Sequence, residues 1–207
     1  MSDKEKLEKS LEEVIEQAST LHLQRELSSQ FKKNIKLFES ISPAIAKKFN
    51  NYQPKRFQLG IDDSLGINIY DINNGIPVYK DEAEDFCKEQ VCAYFKNPLA
   101  LEFFLHSYPE FDFFFSSQYI NQLLKHYDES LSNFHGDHNK PITFMIVSGI
   151  GLGYHLTEII KTKNIYHICL LENDEDFFYA SLHAIDWELV VSYFNQHSTS
   201  NNGLYLL

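Results

Sequence analysis

The sequence predicts an α/β protein, in which an α+β N-terminal region with a small antiparallel meander precedes an incomplete Rossmann-like βαβα unit. Between Asn50 and Tyr79, short β-prone runs alternate with turn residues, as in a meander. From Ile142 onward, apolar strands alternate with helical segments, which is typical of a parallel sheet. We therefore expect a helical arm (1–50), a small α+β domain (51–133) and the truncated start of a nucleotide-binding domain (141–207).

The composition is that of a globular protein, and it disfavours several functions. Of the 207 residues, 43% are hydrophobic, and the formal net charge of -11 opposes binding to a polyphosphate backbone. The three cysteines follow no metal or redox spacing, so we expect reduced thiols. The charged N-terminus has no signal-peptide core, and charged residues interrupt the most apolar run, 99–115. We expect a cytoplasmic protein that binds neither nucleic acid nor membrane.

The arm is predicted to contain two helical stretches. Residues 3–27 form the first, opened by a capping-box pattern at Ser2 and Glu5. Its apolar residues alternate four and three apart, at Leu7, Leu11, Val14, Ala18 and Leu21. This heptad spacing leaves two interpretations open: a helix that packs on its own domain, and one that dimerises or binds a partner. The second stretch, Phe31–Phe49, is predicted to break near Pro43.

The meander is predicted to have three strands, Arg56–Ile61, Ile67–Asp71 and Ile76–Tyr79. A tight turn at Asn73-Asn74-Gly75 joins the last two. Helices are expected over 83–95, 98–106 and 117–127. The phenylalanine-rich segment 110–117 is expected to fill the core, and the polar segment 134–141 to mark the boundary of the last domain.

A ligand-binding site is predicted where an apolar strand, 142–148, turns into the next helix. The run suggests a parallel strand buried on both faces, and the turn after it carries Gly149, Gly151 and Gly153. Glycines let a backbone approach a phosphate or ribose, and the helix N-terminus adds partial positive charge. The second strand, Ile165–Leu171, ends at Glu172, placed to accept hydrogen bonds from ribose hydroxyls. The sequence therefore predicts a nucleotide site.

Other interpretations of these residues stay open. G-x-G-x-G differs from the usual G-x-G-x-x-G, and a glycine turn can simply pack a helix on a sheet. A methyltransferase that uses S-adenosylmethionine would show the same strand, turn and acidic strand end. His155 is placed either to bind a donor phosphate or carboxylate or to pack locally. The loop from His135 to His138 has two imidazoles and a carboxylate, but we predict no metal site.

Several segments together resemble the motility accessory factor (Maf) family of bacterial flagellin glycosyltransferases. The shared features are the string Gly149, Gly151, Gly153, Tyr154 and His155, the strand end at Glu172, a phenylalanine at 177 or 178, and Asp186-Trp187. Upstream, FKKNIKLFESISPAIAKKF, YQPKRFQLGIDDSLGINIYD and IPVY are similar to that family's N-terminal domain. Its central region belongs with 6-hydroxymethylpterin pyrophosphokinase (MptE-like) domains. The resemblance covers 31–207 and departs at Asn173, where proline is commoner in the family.

The resemblance implies transfer of a nonulosonic acid, of pseudaminic or legionaminic type, from a CMP-activated donor to Ser or Thr of flagellin. It implies that Tyr154 and His155 join the glycines and Glu172 in binding the nucleotide sugar, with no metal. Because the family's domain is longer, we expect an N-terminal portion of a larger protein, with catalytic residues beyond Leu207. A methyltransferase, and a non-catalytic interaction module that forms a homo-oligomer through the N-terminal helix, remain alternatives.

Overall fold

A computed structural model describes residues 3–96, 141–196 and 203–206. The helices are α1 (Asp3–Ile41), α2 (Pro43–Phe49), α3 (Ala83–Lys96), α4 (Tyr154–Thr162), α5 (Glu175–Ala184) and α6 (Trp187–Gln196). The strands are β1 (Phe57–Asp62), β2 (Gly66–Asp71), β3 (Ile142–Ser148), β4 (Ile165–Leu171) and β5 (Gly203–Leu206). A two-stranded antiparallel sheet and a three-stranded parallel sheet confirm the α/β class.

The described elements belong almost entirely to one compact unit. Met1–Cys92 and Pro141–Leu207 form this unit, and Ala93–Lys140 form a second. The helices expected over 98–106 and 117–127, the phenylalanine-rich segment, the histidine loop and most of the 134–141 boundary lie outside the described residues. The domain boundaries at 50 and 133 therefore stay predictions.

The gap predicted between the two helical stretches of the arm, at residues 28–30, is wrong, because α1 runs without a break from Asp3 to Ile41, a length of 39 residues. The break near Pro43 is confirmed: Pro43 is the first residue of α2, where its missing N–H leaves no acceptor unpaired. The buried Asn34 amide donates to the carbonyls of Leu182 (2.7 Å) and Ile185 (2.8 Å). Its Oδ1 accepts from the Trp187 N–H (3.1 Å), so α1 is fixed to the α5–α6 junction.

The predicted meander is a hairpin followed by a single bridge. β1 and β2 pair antiparallel from Phe57↔Asp71 to Asp62↔Gly66. The predicted third strand, 76–79, is wrong as a full strand, since it makes only an isolated bridge between Tyr70 and Pro77. The bridge is flanked by hydrogen bonds from the Asp71 N–H to Ile76 O (3.0 Å) and from the Val78 N–H to Ile69 O (2.8 Å), so the missing N–H of Pro77 removes no bond to β2. Pro77 is tolerated here because the segment lies at the edge of the hairpin.

The parallel sheet has the order β3-β4-β5, with Ile142 opposite Ile165 and Ser148 opposite Leu171. Both predicted strands of the glycine motif are confirmed. The expectation that the first strand is buried on both faces is wrong, because Phe144 is 52% exposed and Ile146 is 59% exposed. β3 lies at the edge of the described sheet, so fewer neighbours cover it than cover the central strand β4.

The hairpin and the parallel sheet share a core that brings distant segments to the glycine turn. Tyr79, which follows the hairpin, and Cys87 of α3 lie in one buried cluster with Leu152 and with Ala180 of α5. The turn is therefore packed from one side by the N-terminal region.

Candidate functional site

A buried carboxylate, Asp176, joins the start of α5 to the segment before the hairpin. It accepts hydrogen bonds from the Tyr52 hydroxyl (2.7 Å) and from the backbone N–H groups of Lys55 (3.0 Å), Arg56 (2.7 Å) and Phe57 (2.9 Å). Burial acts to raise the pKa of Asp176, but these hydrogen bonds outweigh burial and hold the pKa below its usual value. We name these five residues the Asp176 seam. The seam fixes the chain that enters β1.

Most backbone N–H groups of the glycine turn, 149–155, are paired within the protein. Their acceptors are Leu171 O for Gly149 (2.8 Å), Glu172 Oε2 for Ile150 (2.6 Å), Tyr79 Oη for Leu152 (3.1 Å), Ile150 O for Gly153 (2.8 Å) and the Cys87 sulfur for His155. Within the described residues, the N–H groups of Gly151 and Tyr154 have no acceptor. Two of the groups predicted to bind a ligand are thus occupied by Tyr79 and Cys87.

The three predicted glycines lie in different surroundings. Gly151 has a φ of +52°, and a Cβ there would collide with the Tyr79 hydroxyl. Gly153 has a φ of +85°, and its Cβ would lie 2.6 Å from Cδ1 of Ile185. Gly149 also has a φ of +85°, but no atom lies within 4 Å of an added Cβ. Gly151 and Gly153 therefore permit close packing, whereas Gly149 leaves its surroundings open to a ligand.

Glu172 connects the glycine turn to the start of α5. Its Oε2 accepts from the Ile150 N–H, and its Oε1 accepts from the Asp174 N–H at 2.9 Å. Asp174 in turn caps α5 by accepting from the Asp176 N–H at 2.9 Å. The carboxylate predicted at the strand end is therefore held rigidly, with one oxygen on each element.

A cleft of about 220 Å³ lies between α2 and the carboxyl ends of the parallel strands. It is lined by Ile45, Lys48, Phe49, Ile150, Leu170, Glu172, Glu175, Phe178 and Leu206. We name it the α2 cleft. In open α/β sheets, ligands bind at the carboxyl ends of the strands, so this is the position where the fold favours a ligand.

The polar rim of the α2 cleft is an ion-paired group. Glu175 contacts Lys48 Nζ at 2.7 Å and Lys55 Nζ at 3.0 Å. Hydrogen bonds from Lys48 and then Lys55 lower the pKa of Glu175 to about 2. Glu175 is therefore ionised at neutral pH, and the lysine that lines the cleft already has a partner.

The remaining predicted residues, Tyr154 and His155, lie outside the lining of this cleft. The Nε2 atom of His155 is shut off from solvent without a partner among the described residues, and its ring is hydrogen-bonded to the Gly149 carbonyl. Burial lowers the pKa of His155 to about 4, so the imidazole is neutral at pH 7. Tyr154 packs on the shared core, and burial raises the pKa of its phenol, assisted by Glu84. Neither side chain lines the α2 cleft.

Sequence reasoning missed the contribution of α2. Ile45, Lys48 and Phe49 form one wall of the cleft, although over a hundred positions separate them from the strand end at Glu172. Phe49 packs on Phe178, with ring centroids 4.9 Å apart. Nothing in the local pattern of a seven-residue helix indicates such a contact; only paired changes between positions 45–49 and 170–178 in related sequences could have found it.

The described ranges contain neither a metal-binding cluster nor a membrane-spanning helix. No group of three or more His, Cys, Asp or Glu side chains there is arranged to hold a metal ion. Each helix in those ranges is too short or too polar to cross a lipid bilayer.

Comparison with known proteins gives a fold relative and a family. No curated protein matches the sequence. The chain is similar in structure to a Maf glycosyltransferase from Magnetospirillum magneticum AMB-1, with a TM-score of 0.59 and 16% identity. The match covers 87% of this chain but 27% of that one. The family model of the glycosyltransferase Maf N-terminal domain matches residues 30–206, which include both sheets. The chain therefore belongs to the Maf glycosyltransferase family, in which it corresponds to the N-terminal domain.

Proposed function

We propose that this chain binds the nucleotide of an activated sugar, as the N-terminal portion of a cytoplasmic glycosyltransferase that modifies flagellin. The donor is a CMP-activated nonulosonic acid, and the binding site is the α2 cleft. The observation that supports this most is the placement of Glu172. The carboxylate lies at the carboxyl end of β4, at the rim of a cleft, where α/β folds bind nucleotides.

The family supports the sugar-transfer part of the proposal, and the cleft supports the nucleotide part. Of the predicted residues, Glu172 lines the α2 cleft. Gly149 does not line it, but it has open space around it and directly precedes Ile150, which does. Gly151, Gly153, Tyr154 and His155 support the site indirectly, because they pack the turn that carries Ile150. We assign no catalytic base to this chain.

Calorimetric titration with CMP, and with S-adenosylmethionine for comparison, tests the proposal. We expect heat with CMP and none with S-adenosylmethionine. Glu172→Gln removes the negative charge but keeps an acceptor oxygen for the turn. Because a hydrogen bond to a charged group contributes about 1.5–3 kcal/mol, this variant should bind CMP at least about tenfold more weakly.

Glu188→Gln is the matched control, since Glu188 is an exposed acid on α6 that does not line the cleft. Thermal melts of both variants show whether Glu172→Gln also loosens the turn. Equal CMP affinity in the two variants would remove Glu172 from the site. Heat with S-adenosylmethionine alone would favour a methyltransferase, and no heat with either ligand would refute nucleotide binding by this chain.

The predicted homo-oligomer through the N-terminal helix requires its own experiment. Leu21 is 48% exposed on α1, which leaves it accessible to a partner. The side chains of Leu7, Leu11 and Val14 lie outside the described part of the chain. Deleting residues 1–27 should turn a dimer into a monomer in light scattering; a full-length chain that is already monomeric would end this interpretation.

A further inference from the structure

We infer that the α2 cleft recognises the nucleoside part of its ligand and makes no productive contact with the phosphate. The inference rests on the proposed function, and it departs from what the glycine motif suggests. In that motif, a phosphate would be held by the turn and by the N-terminus of the following helix.

The first support is the state of the backbone donors. The N–H of Ile150, the turn residue that lines the cleft, is donated to Glu172 at 2.6 Å. The N–H groups of Leu152 and His155, at the start of α4, are donated to the Tyr79 hydroxyl and the Cys87 sulfur. A phosphate at the turn would have to displace side chains from a buried cluster to reach these donors. The N–H groups of Gly151 and Tyr154 have no acceptor among the described residues, but neither residue lines the α2 cleft.

The second support is the charge around the cleft. Two carboxylates, Glu172 and Glu175, line it together with Lys48, and Lys55 reaches the rim, with its Nζ 3.0 Å from Glu175. Lys48 is already paired with Glu175 at 2.7 Å. Carboxylate oxygens accept hydrogen bonds and repel a phosphate, so the rim suits hydroxyl or amino donors.

The third support is the wall. The wall of the cleft is apolar. It consists of two aromatic rings and four aliphatic side chains, those of Phe49, Phe178, Ile45, Ile150, Leu170 and Leu206. An apolar wall with carboxylate acceptors and already paired lysines at its rim matches a flat ring joined to a diol, which is the chemistry of a ribonucleoside. A cavity of about 220 Å³ is small, and it suits a single-ring base better than a purine.

One consequence concerns the position of the reaction. If the nucleoside fills the α2 cleft, the phosphate and the sugar attached to it project out of it. The side chains that line the cleft then hold the donor but do not contact the bond that breaks.

The test compares cytidine, CMP and inorganic phosphate by calorimetry, at pH 7 and at low and high NaCl. We expect cytidine and CMP to have dissociation constants within about threefold of each other, with little effect of salt, and phosphate alone to give no heat. Lys48→Ala should leave the ratio of the CMP and cytidine dissociation constants unchanged within about threefold. Lys47→Ala, on the same helix but outside the cleft, is the matched control.

The results separate this inference from the proposed function. CMP that binds more than tenfold tighter than cytidine, and loses that advantage in Lys48→Ala, would overturn the inference and leave the nucleotide site in place. Absence of binding by both cytidine and CMP would overturn both. Adenosine that binds as tightly as cytidine would support nucleoside recognition but contradict the preference for a single-ring base.

Discussion

The start of α5 faces two regions that use carboxylates in opposite ways. In the Asp176 seam, one buried carboxylate accepts four different donors, and it is 2% exposed. In the α2 cleft, Glu175 is partly exposed and pairs with two lysines, while Glu172 binds two backbone N–H groups beside a cavity. Acidic residues only a few positions apart therefore differ in role: Asp176 holds the fold together, and the cleft acids remain able to meet a ligand.

Removal of the seam carboxylate should have the largest effect on stability. Asp176→Ala leaves the Tyr52 hydroxyl and the N–H groups of Arg56 and Phe57 without their acceptor. We expect the free energy of unfolding in urea to fall by about 3 kcal/mol. Glu175→Ala, one residue earlier, is the control and should leave the urea midpoint nearly unchanged, because its ion pairs are exposed. Equal losses would erase the distinction between the two regions.

Within the glycine turn, Gly151 is tightly packed whereas Gly149 has open space around it, so their substitutions should differ in cost. Gly151→Ala forces a Cβ against the Tyr79 hydroxyl at a positive φ, so we expect a loss of about 2–3 kcal/mol of unfolding free energy. Gly149→Ala has the same backbone strain without the collision, and should cost about 1 kcal/mol. Thermal unfolding of the two variants measures the difference. A larger loss for Gly149→Ala would show that its surroundings are not open.

The pH dependence of the unfolding free energy should show that His155, in the glycine turn, is buried in its neutral form. Burial lowers the pKa of His155 to about 4 in the folded chain, against an ordinary value of 6.5. Unfolding then takes up a proton between these values, so stability falls as the pH drops from 6.5 toward 4, by about 2–3 kcal/mol. His155→Gln should reduce this slope, although His183, whose pKa burial also lowers, adds to it. An unchanged slope in the variant would show that the imidazole is not buried in its neutral form.

Filling the α2 cleft should have the smallest effect on stability. Ile45 is only partly buried on α2, so Ile45→Trp should change the unfolding free energy by less than about 0.5 kcal/mol. The indole occupies the cavity, and CMP or cytidine binding should fall more than tenfold in calorimetry. Ile41→Trp, at an exposed position outside the cleft, is the control. Normal binding by Ile45→Trp would place the ligand elsewhere.

Local pattern predicted the parallel sheet well, because periodicity and glycine spacing are local properties. The strand at 142–148, the turn at 149–153 and the acid at Glu172 are where the sequence placed them. The third strand of the meander was wrong as a full strand: Ile76 and Val78 have β propensity, but their segment makes only one bridge, at Pro77.

Contacts between distant segments could not be predicted in the same way. The acceptors at Tyr79 and Cys87, the donors to Asp176, and the α2 wall all join segments far apart in the chain. The role of Asp176 could not be predicted from the acidic run at the start of α5. A buried carboxylate that joins two segments and an exposed acid at a helix N-terminus look the same in the local sequence. The family resemblance predicted the fold more reliably than any single local pattern did, because it depends on many positions at once.

The close packing of Tyr79 against Gly151 means that these two distant positions should vary together among homologues. A homologue that replaces Gly151 avoids the collision only if the residue equivalent to Tyr79 becomes smaller, and loss of that hydroxyl leaves the Leu152 N–H without its acceptor. Substitutions at the two sites should therefore appear together over evolutionary time. Conservation of Gly151 and Gly153 could therefore reflect packing, and the glycine motif alone does not distinguish packing from ligand binding.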